Sequence, residues 1–250
     1  MFGRGHPPIF TFELEGLLRR GEPLRGEYRN ARPFPHVVVD DFLPSDVATR
    51  LLEVFPPPDA AHWLDWRKRD TRHQPRKLGI GHASRLEGAE PYVHNILFAF
   101  NSSPFLTFLE RLTGIEKLLP DPHLHGAGLH QILSGGKLDM HADSTVLGPL
   151  NLYRRINVLL FLNKGWKTEY GGDLELWNED CTQREKAIAP LFNRLVVFNT
   201  TKTSFHGHPR PLNTPGHVTR KSLALYYFTS APNADDRYDE NIDWKETGQA

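Results

Sequence analysis

A mainly β domain with flanking helices (α+β), built on a double-stranded β-helix of the jelly-roll type at about residues 124–230, is the architecture this sequence predicts. Three observations carry it. From Leu124 onward, short apolar and β-branched runs recur between turns, the pattern of a sandwich or barrel. Before Leu124 the clearest periodic segments are helical. The length of 250 residues suits one substantial core. The predicted organisation is an irregular or helical N-terminal extension over 1–34, a single domain over 35–230 and a polar, peripheral tail over 231–250.

Taken in order, Phe10 to Arg20 reads as a short helix or turn, and Gly21 to Pro35, rich in Arg, Pro and Gly, as irregular chain. His36-Val37-Val38-Val39-Asp40-Asp41-Phe42 is a β-branched strand. Ser45 is placed to cap a helix with Val47, Leu51, Leu52 and Phe55 on one face, and Pro56-Pro57-Pro58 stops it. Asp59 to Pro91 shows no clear period, but Arg67 to Lys77 is basic and Trp63 and Trp66 lie close by, so it reads as either a substrate-contacting loop or a solvated connection. Leu106, Phe108, Leu109 and Leu112 make a helix of Pro104 to Thr113, ended by Gly114. Strands follow at Gly126 to Leu133, Asp139 to His141, Arg155 to Asn163, Asp173 to Trp177, Arg194 to Asn199 and Ser222 to Thr229.

Lys plus Arg and Asp plus Glu number 30 each, so no global field attracts nucleic acid or an anionic membrane. Cys181 is the single cysteine, which excludes an internal disulfide and a thiolate zinc cluster and fits a reducing compartment. The N-terminal residues show no apolar signal segment, and no apolar run approaches membrane-spanning length. A soluble, cytoplasmic protein is the expectation.

His141-Ala142-Asp143 sets an imidazole and a carboxylate two residues apart, and at a strand end the period of two sends both to one face. Ser204-Phe205-His206-Gly207-His208 supplies a third ligand in either of its histidines. Two histidines and one carboxylate leave the far side of a metal open, an arrangement that suits ferrous iron, although the same donors bind zinc. Arg220 and Ser222, two apart on entry to a strand, can together hold a carboxylate, the guanidinium as a bidentate fork. The alternative for Arg220 is an exposed residue paired with an acid.

Together these residues resemble the prolyl 4-hydroxylase-like branch of the Fe(II), 2-oxoglutarate-dependent oxygenases. The resemblance runs from about Pro35 to Thr229 and rests on His36 to Leu43, His141-Ala142-Asp143, Arg155 to Asn163, Tyr170-Gly171-Gly172-Asp173-Leu174-Glu175-Leu176, His206 and Arg220-Lys221-Ser222. It implies His141, Asp143 and His206 as iron ligands, with His206 preferred to His208, which becomes an accessory or rim residue. It implies Arg220 and Ser222 as the site for the distal carboxylate of 2-oxoglutarate. Two departures stand out: Gln131 and Phe161 occupy positions where relatives often carry tyrosine. Gln131 and Asn157 are then the polar substitutes, each able to donate an amide N–H to the cosubstrate.

The resemblance further implies Fe(II), 2-oxoglutarate and O2 as cofactor and cosubstrates, with ascorbate as an optional reductant. The expected reaction hydroxylates an unactivated C–H bond of a prolyl, amino-acid or small-molecule substrate, with release of succinate and CO2. Retention of Asp143 favours hydroxylation over halogenation. The alternative is a non-catalytic, metal-binding jelly-roll module recognising a carboxylate or sugar. No nucleic-acid or membrane partner is indicated.

Overall fold

A computed structural model describes residues 9–65, 70, 72–81, 83–233 and 237–245. Fourteen strands are assigned among the described residues. They are β1 (His36–Val39), β2 (Leu64–Asp65), β3 (Lys77–Ile80), β4 (Leu119–Pro120), β5 (Gly128–Ile132), β6 (Leu138–Ala142), β7 (Val146–Leu147), β8 (Leu152–Phe161), β9 (Leu174–Trp177), β10 (Arg184–Ile188), β11 (Arg194–Asn199), β12 (His206–His208), β13 (Arg220–Thr229) and β14 (Asp243–Lys245). The large sheet runs β1-β11-β8-β13-β5-β3-β2, with β4 beside β13 and β7 beside β8. The small sheet runs β10-β9-β12-β6-β14, and the pairings in both sheets are antiparallel. The jelly-roll fold expected of residues 124–230 is the one observed.

The long strands of the large sheet are apolar on both faces because both faces are covered. On β11, Leu195 and Val197 join one core cluster, while Val196 and Phe198 join another. On β8 and β13, Ile156, Val158, Leu160, Leu223, Leu225 and Tyr227 extend the first cluster. That cluster includes the helices α3 (Ser45–Glu53), α5 (Pro91–Phe100) and α6 (Ser103–Thr113) through Leu51, Phe100, Phe105, Phe108, Leu109 and Leu112. Each such fully buried side chain contributes about 1.5–3 kcal/mol. The opposite face, where Phe161 meets Leu174 and Leu176 of the small sheet, encloses the cavity described below.

Several local expectations need correction. Residues 21–35 are not irregular throughout: α1 (Leu14–Gly21) leads through a 3-10 turn (Glu22–Leu24) into α2 (Arg25–Asn30), and Leu17 and Tyr28 are buried in the main core. Ser45 is the first residue of α3, and the cap position falls on Pro44 with no side-chain cap. A short α4 (Ala83–Leu86) and the strongly apolar α5 fill the stretch before α6. The helix predicted at Pro104 to Thr113 is α6, and Gly114 takes the left-handed conformation (φ 77°) that ends it. Within the described part of the tail, residues 243–245 are not peripheral. Their strand β14 pairs with β6 and sets Trp244 opposite His141.

Candidate metal centre

The antiparallel pair β6 and β12 sets His206 opposite His141, and their rings lie 4.4 Å apart. Asp143 follows β6 by one residue. Ligand atoms of His141, Asp143 and His206 lie within 4.8 Å of one another, and all three residues are buried. The Nε2 atoms stand 3.5 Å (His141) and 3.7 Å (His206) from the Asp143 carboxylate.

The surroundings of this trio fix which atoms face inward. Nδ1 of His141 meets the Asp139 carbonyl oxygen at 2.8 Å, and Nδ1 of His206 meets the Ser204 carbonyl oxygen at 2.9 Å. Donation from Nδ1 leaves the Nε2 lone pair free, the tautomer a metal requires. Burial, then the neighbouring His141, pushes His206 down to about 4, so its imidazole is neutral near pH 7. Asp143 Oδ2 accepts from Asn157 Nδ2 at 2.6 Å and pairs with Arg154 at 3.1 Å. Burial alone would raise that carboxyl, but Arg154, with His141 and His206, outweighs it and holds Asp143 well below the usual carboxylate range. A fixed carboxylate and two imidazoles, each with Nδ1 at a backbone carbonyl, form a donor set that fits a divalent transition metal.

A cavity of about 160 Å³ opens beside the trio. From the large sheet it is lined by Lys77, His130, Ile132, Arg154, Asn157, Leu159 and Phe198, and by Arg220, Ser222, Ala224 and Tyr226 along one face of β13. The small sheet adds Leu138, Leu174 and residues 206–208, and Ile242 and Trp244 come from the tail. Arg220 is buried, its Nε donates to the Gly172 carbonyl at 2.7 Å, and its guanidinium lies 4.8 Å from the centre of the Phe161 ring. No acidic side chain forms an ion pair with it among the described residues, which corrects the exposed, acid-paired alternative. Burial lowers it to about 10, so it remains a cation at neutral pH.

The predicted residues thus divide. His141, Asp143 and His206 converge, and Arg220 and Ser222 line the same cavity. Asn157 lines it too, but its amide is engaged elsewhere, donating to Asp143 and accepting from Thr200 Oγ1 at 3.0 Å. Gln131 does not line the cavity. The period of two on β5 turns His130 and Ile132 inward and Gln131 away, where its Oε1 accepts from Thr219 at 2.6 Å. His208 is no rim residue: it is 2 % exposed and lines the cavity. Of the basic stretch from Arg67 to Lys77, Gln74 and Lys77 line the cavity and Lys77 Nζ donates to Gln74 Oε1 at 3.0 Å. Residues 66–69 and 71 lie outside the described residues.

Arg154, His130 and Trp244 escaped the sequence reading. Counting by twos from Asn157 turns Arg155 inward. A bulge decides otherwise, because Tyr227 pairs with Ile156 and Phe228 with Arg154, and the extra residue on β8 re-aims Arg154 at Asp143. The only signal was a pair of arginines, Arg154 and Arg155, in a strand whose other residues are mostly apolar.

Residues 127–228 match the family model of the 2OG-Fe(II) oxygenase superfamily. Among solved structures the chain is similar to a prolyl hydroxylase from Trichoplax adhaerens in complex with a hypoxia inducible factor oxygen degradation domain peptide fragment. That likeness has 19% identity, covers 86% of this chain and 94% of that one, and has a TM-score of 0.58. A prolyl 4-hydroxylase structure from Phytophthora capsici is similar at 22% identity, covering 89% of this chain and 68% of that one, TM-score 0.57. HygX from Streptomyces hygroscopicus, solved with nickel, 2-oxoglutarate and hygromycin B bound, is similar at 12% identity, covering 85% and 93%, TM-score 0.51. At these identities the likeness carries the fold. No curated protein matches the sequence.

Proposed function

We propose, on the premise that residues 127–228 belong to the 2OG-Fe(II) oxygenase superfamily, that this enzyme is a dioxygenase hydroxylating an unactivated C–H bond of a prolyl, amino-acid or small-molecule substrate. His141, Asp143 and His206 are its iron ligands, and Arg220 with Ser222 receives the distal carboxylate of 2-oxoglutarate. The observation that carries this reading is the conjunction in one cavity of a converged, oriented His-Asp-His trio with a buried arginine whose Nε is held by the Gly172 carbonyl.

Bound iron and 2-oxoglutarate would supply oxidative decarboxylation, to succinate and CO2, coupled to hydroxylation. The chain's own residues bind, orient and exclude water. The carbonyls of Asp139 and Ser204 hold the two imidazoles in register, and Asn157 and Arg154 keep Oδ2 of Asp143 occupied, which leaves Oδ1 for the metal. Arg220, fixed by Gly172 and lying over Phe161, supplies a preset cation to a carboxylate. Leu159, Leu174 and Phe198 make the adjoining wall dry.

The enclosed volume of about 160 Å³ is below the roughly 300–1,000 Å³ that encloses a drug-sized ligand. The cosubstrate therefore takes the enclosed part, and the substrate presents one C–H bond from the side bordered by exposed Ile242. Peptidyl and small-molecule substrates both suit that geometry, as the peptide and the hygromycin B in two similar structures illustrate.

Anaerobic addition of Fe(II) and 2-oxoglutarate should give a weak visible charge-transfer band, and admission of air with ascorbate present should give succinate. Absence of both would leave the non-catalytic binding module as the better reading. His206→Ala should abolish iron binding, whereas loss of iron only in His208→Ala would reassign the third ligand.

A further inference from the structure

We infer that the substrate carries a carboxylate, which Lys77 receives on the side of the cavity bordered by the tail. The inference rests on the oxygenase reading above and narrows its substrate class.

The argument starts from the charges around the cavity. Apart from the imidazoles, its charged lining residues are Lys77, Arg154 and Arg220 against Asp143 alone, among the described residues. Asp143 already pairs with Arg154 at 3.1 Å. A divalent metal adds two positive charges and the 2-oxoglutarate dianion removes two, so the loaded cavity keeps the positive surplus of its lining. Asp70 reduces that surplus only from behind the wall. There Gln74 stands between it and Lys77, with Gln74 Nε2 donating to Asp70 Oδ2 at 3.2 Å and Gln74 Oε1 accepting from Lys77 Nζ at 3.0 Å. Burial pushes Lys77 down to about 8, and Asp143 is the charge that most offsets this. The ammonium therefore senses the metal end and is largely protonated at pH 7. In such surroundings a substrate carboxylate is attracted and a substrate ammonium is repelled.

Position separates this cation from the one assigned to 2-oxoglutarate. Lys77 on β3 and Arg220 on β13 both pair with Ile132 of β5, which puts their backbones two strand spacings, roughly 10 Å, apart. Arg220 turns further away, since its Nε goes to Gly172 and its guanidinium lies over Phe161 of β8, on the far side of β13 from β5. Lys77 is held on the opposite side. The Gln74 that accepts from it follows His73, whose ring stacks on Trp244 at 4.6 Å and whose carbonyl accepts from the Asp139 N–H of β6 at 2.8 Å. The wall made by Gln74 and Lys77 therefore joins the strand of His141 to Trp244 and exposed Ile242, the side from which the substrate presents its C–H bond. An ammonium there takes one oxygen of a substrate carboxylate in a charge-assisted hydrogen bond, while Arg220 keeps the distal carboxylate of 2-oxoglutarate.

The test measures, by calorimetry, the binding of two matched probe pairs to the protein saturated with Fe(II) and 2-oxoglutarate under argon. N-acetyl-L-proline and N-acetyl-L-prolinamide differ in a free carboxylate, and acetyl-Pro-Glu-amide and acetyl-Pro-Gln-amide differ in a side-chain one. In at least one pair the carboxylate should bind about tenfold or more tightly than its amide, as expected for a hydrogen bond to a charged group. Either pair supports the inference, and the pair that responds tells a free acid from an acidic peptide. Lys77→Gln should abolish the preference and Lys77→Arg should keep part of it. The Kd for 2-oxoglutarate, read by the charge-transfer band, should be nearly unchanged in both variants. No preference in either pair overturns the inference, as does a preference that survives Lys77→Gln. Loss of 2-oxoglutarate affinity in Lys77→Gln also overturns it, because Lys77 then serves the cosubstrate. If Lys77→Gln binds no iron, Lys77→Met is read by the same criteria. A wild-type protein that binds Fe(II) but gives no band with 2-oxoglutarate overturns the cosubstrate reading itself.

Discussion

Asn157 shows how one amide sets the state of the candidate centre. Its Nδ2 holds Oδ2 of Asp143 at 2.6 Å while its Oδ1 accepts from Thr200, so the amide cannot rotate without losing both bonds. Arg154 meets the same oxygen at 3.1 Å and stacks on the Tyr226 ring at 3.9 Å. With Oδ2 doubly engaged, the carboxylate presents Oδ1. Partners that orient a metal ligand in this way are typically worth 10–100-fold in metal affinity. Asn157→Ala should therefore weaken Fe(II) binding by about that factor in an anaerobic chelator-competition titration, with the 2-oxoglutarate Kd of the iron-saturated protein much less affected. A variant that loses cosubstrate affinity while keeping its iron affinity would return Asn157 to the role of a direct cosubstrate contact.

At the scale of elements, β14 joins the edge of the small sheet to β6 and brings Trp244 to 4.7 Å from the His141 ring and 4.6 Å from the His73 ring. It also covers an edge that would otherwise expose unpaired backbone beside the strand that carries His141. Metal binding at His141 should quench part of the tryptophan fluorescence, and Trp244→Phe should remove that part while leaving metal affinity nearly unchanged. A quench of full size in the variant would mean that Trp244 is remote from the ion. No periodicity could reveal this strand, because three residues of mixed character in a polar tail acquire their meaning only from the partner they meet. The long strands and α6 were legible, since burial on both faces or on one helical stripe writes itself into the order of apolar residues. His141, Asp143, His206, Arg220 and Ser222 were legible as spacings, and the structure gathers them in one cavity. Gln131 was misread because the period of two on β5 turns it away from the cavity, and Arg154 was missed because a bulge on β8 that the sequence does not record re-aims it.

Over the whole molecule, the cavity places a demand on pH that its surface does not. Total charge balances at 30 basic and 30 acidic residues, so no strong net self-repulsion builds up near neutrality. Inside, burial first, then neighbouring positive charge, lowers His206 to about 4 and holds His130 and His208 well below their ordinary value. The sign follows from proton counting. In the unfolded chain these imidazoles take up protons as pH falls through about 6.5, whereas in the folded protein they do not. The unfolded state then binds more protons, and stability falls with pH. His206 alone, displaced from 6.5 to about 4, corresponds to a loss on the order of 3 kcal/mol across that interval. Asp143 does not contribute to the slope there, because its folded state is depressed below the carboxylate range and its own loss begins only below about pH 4. Urea denaturation of the chelator-treated, metal-free protein should therefore give a free energy of unfolding that declines steadily from pH 6.5 to pH 4.5. A flat profile over that range would mean that the three imidazoles take up protons while folded, and that the cavity is far wetter than its lining implies.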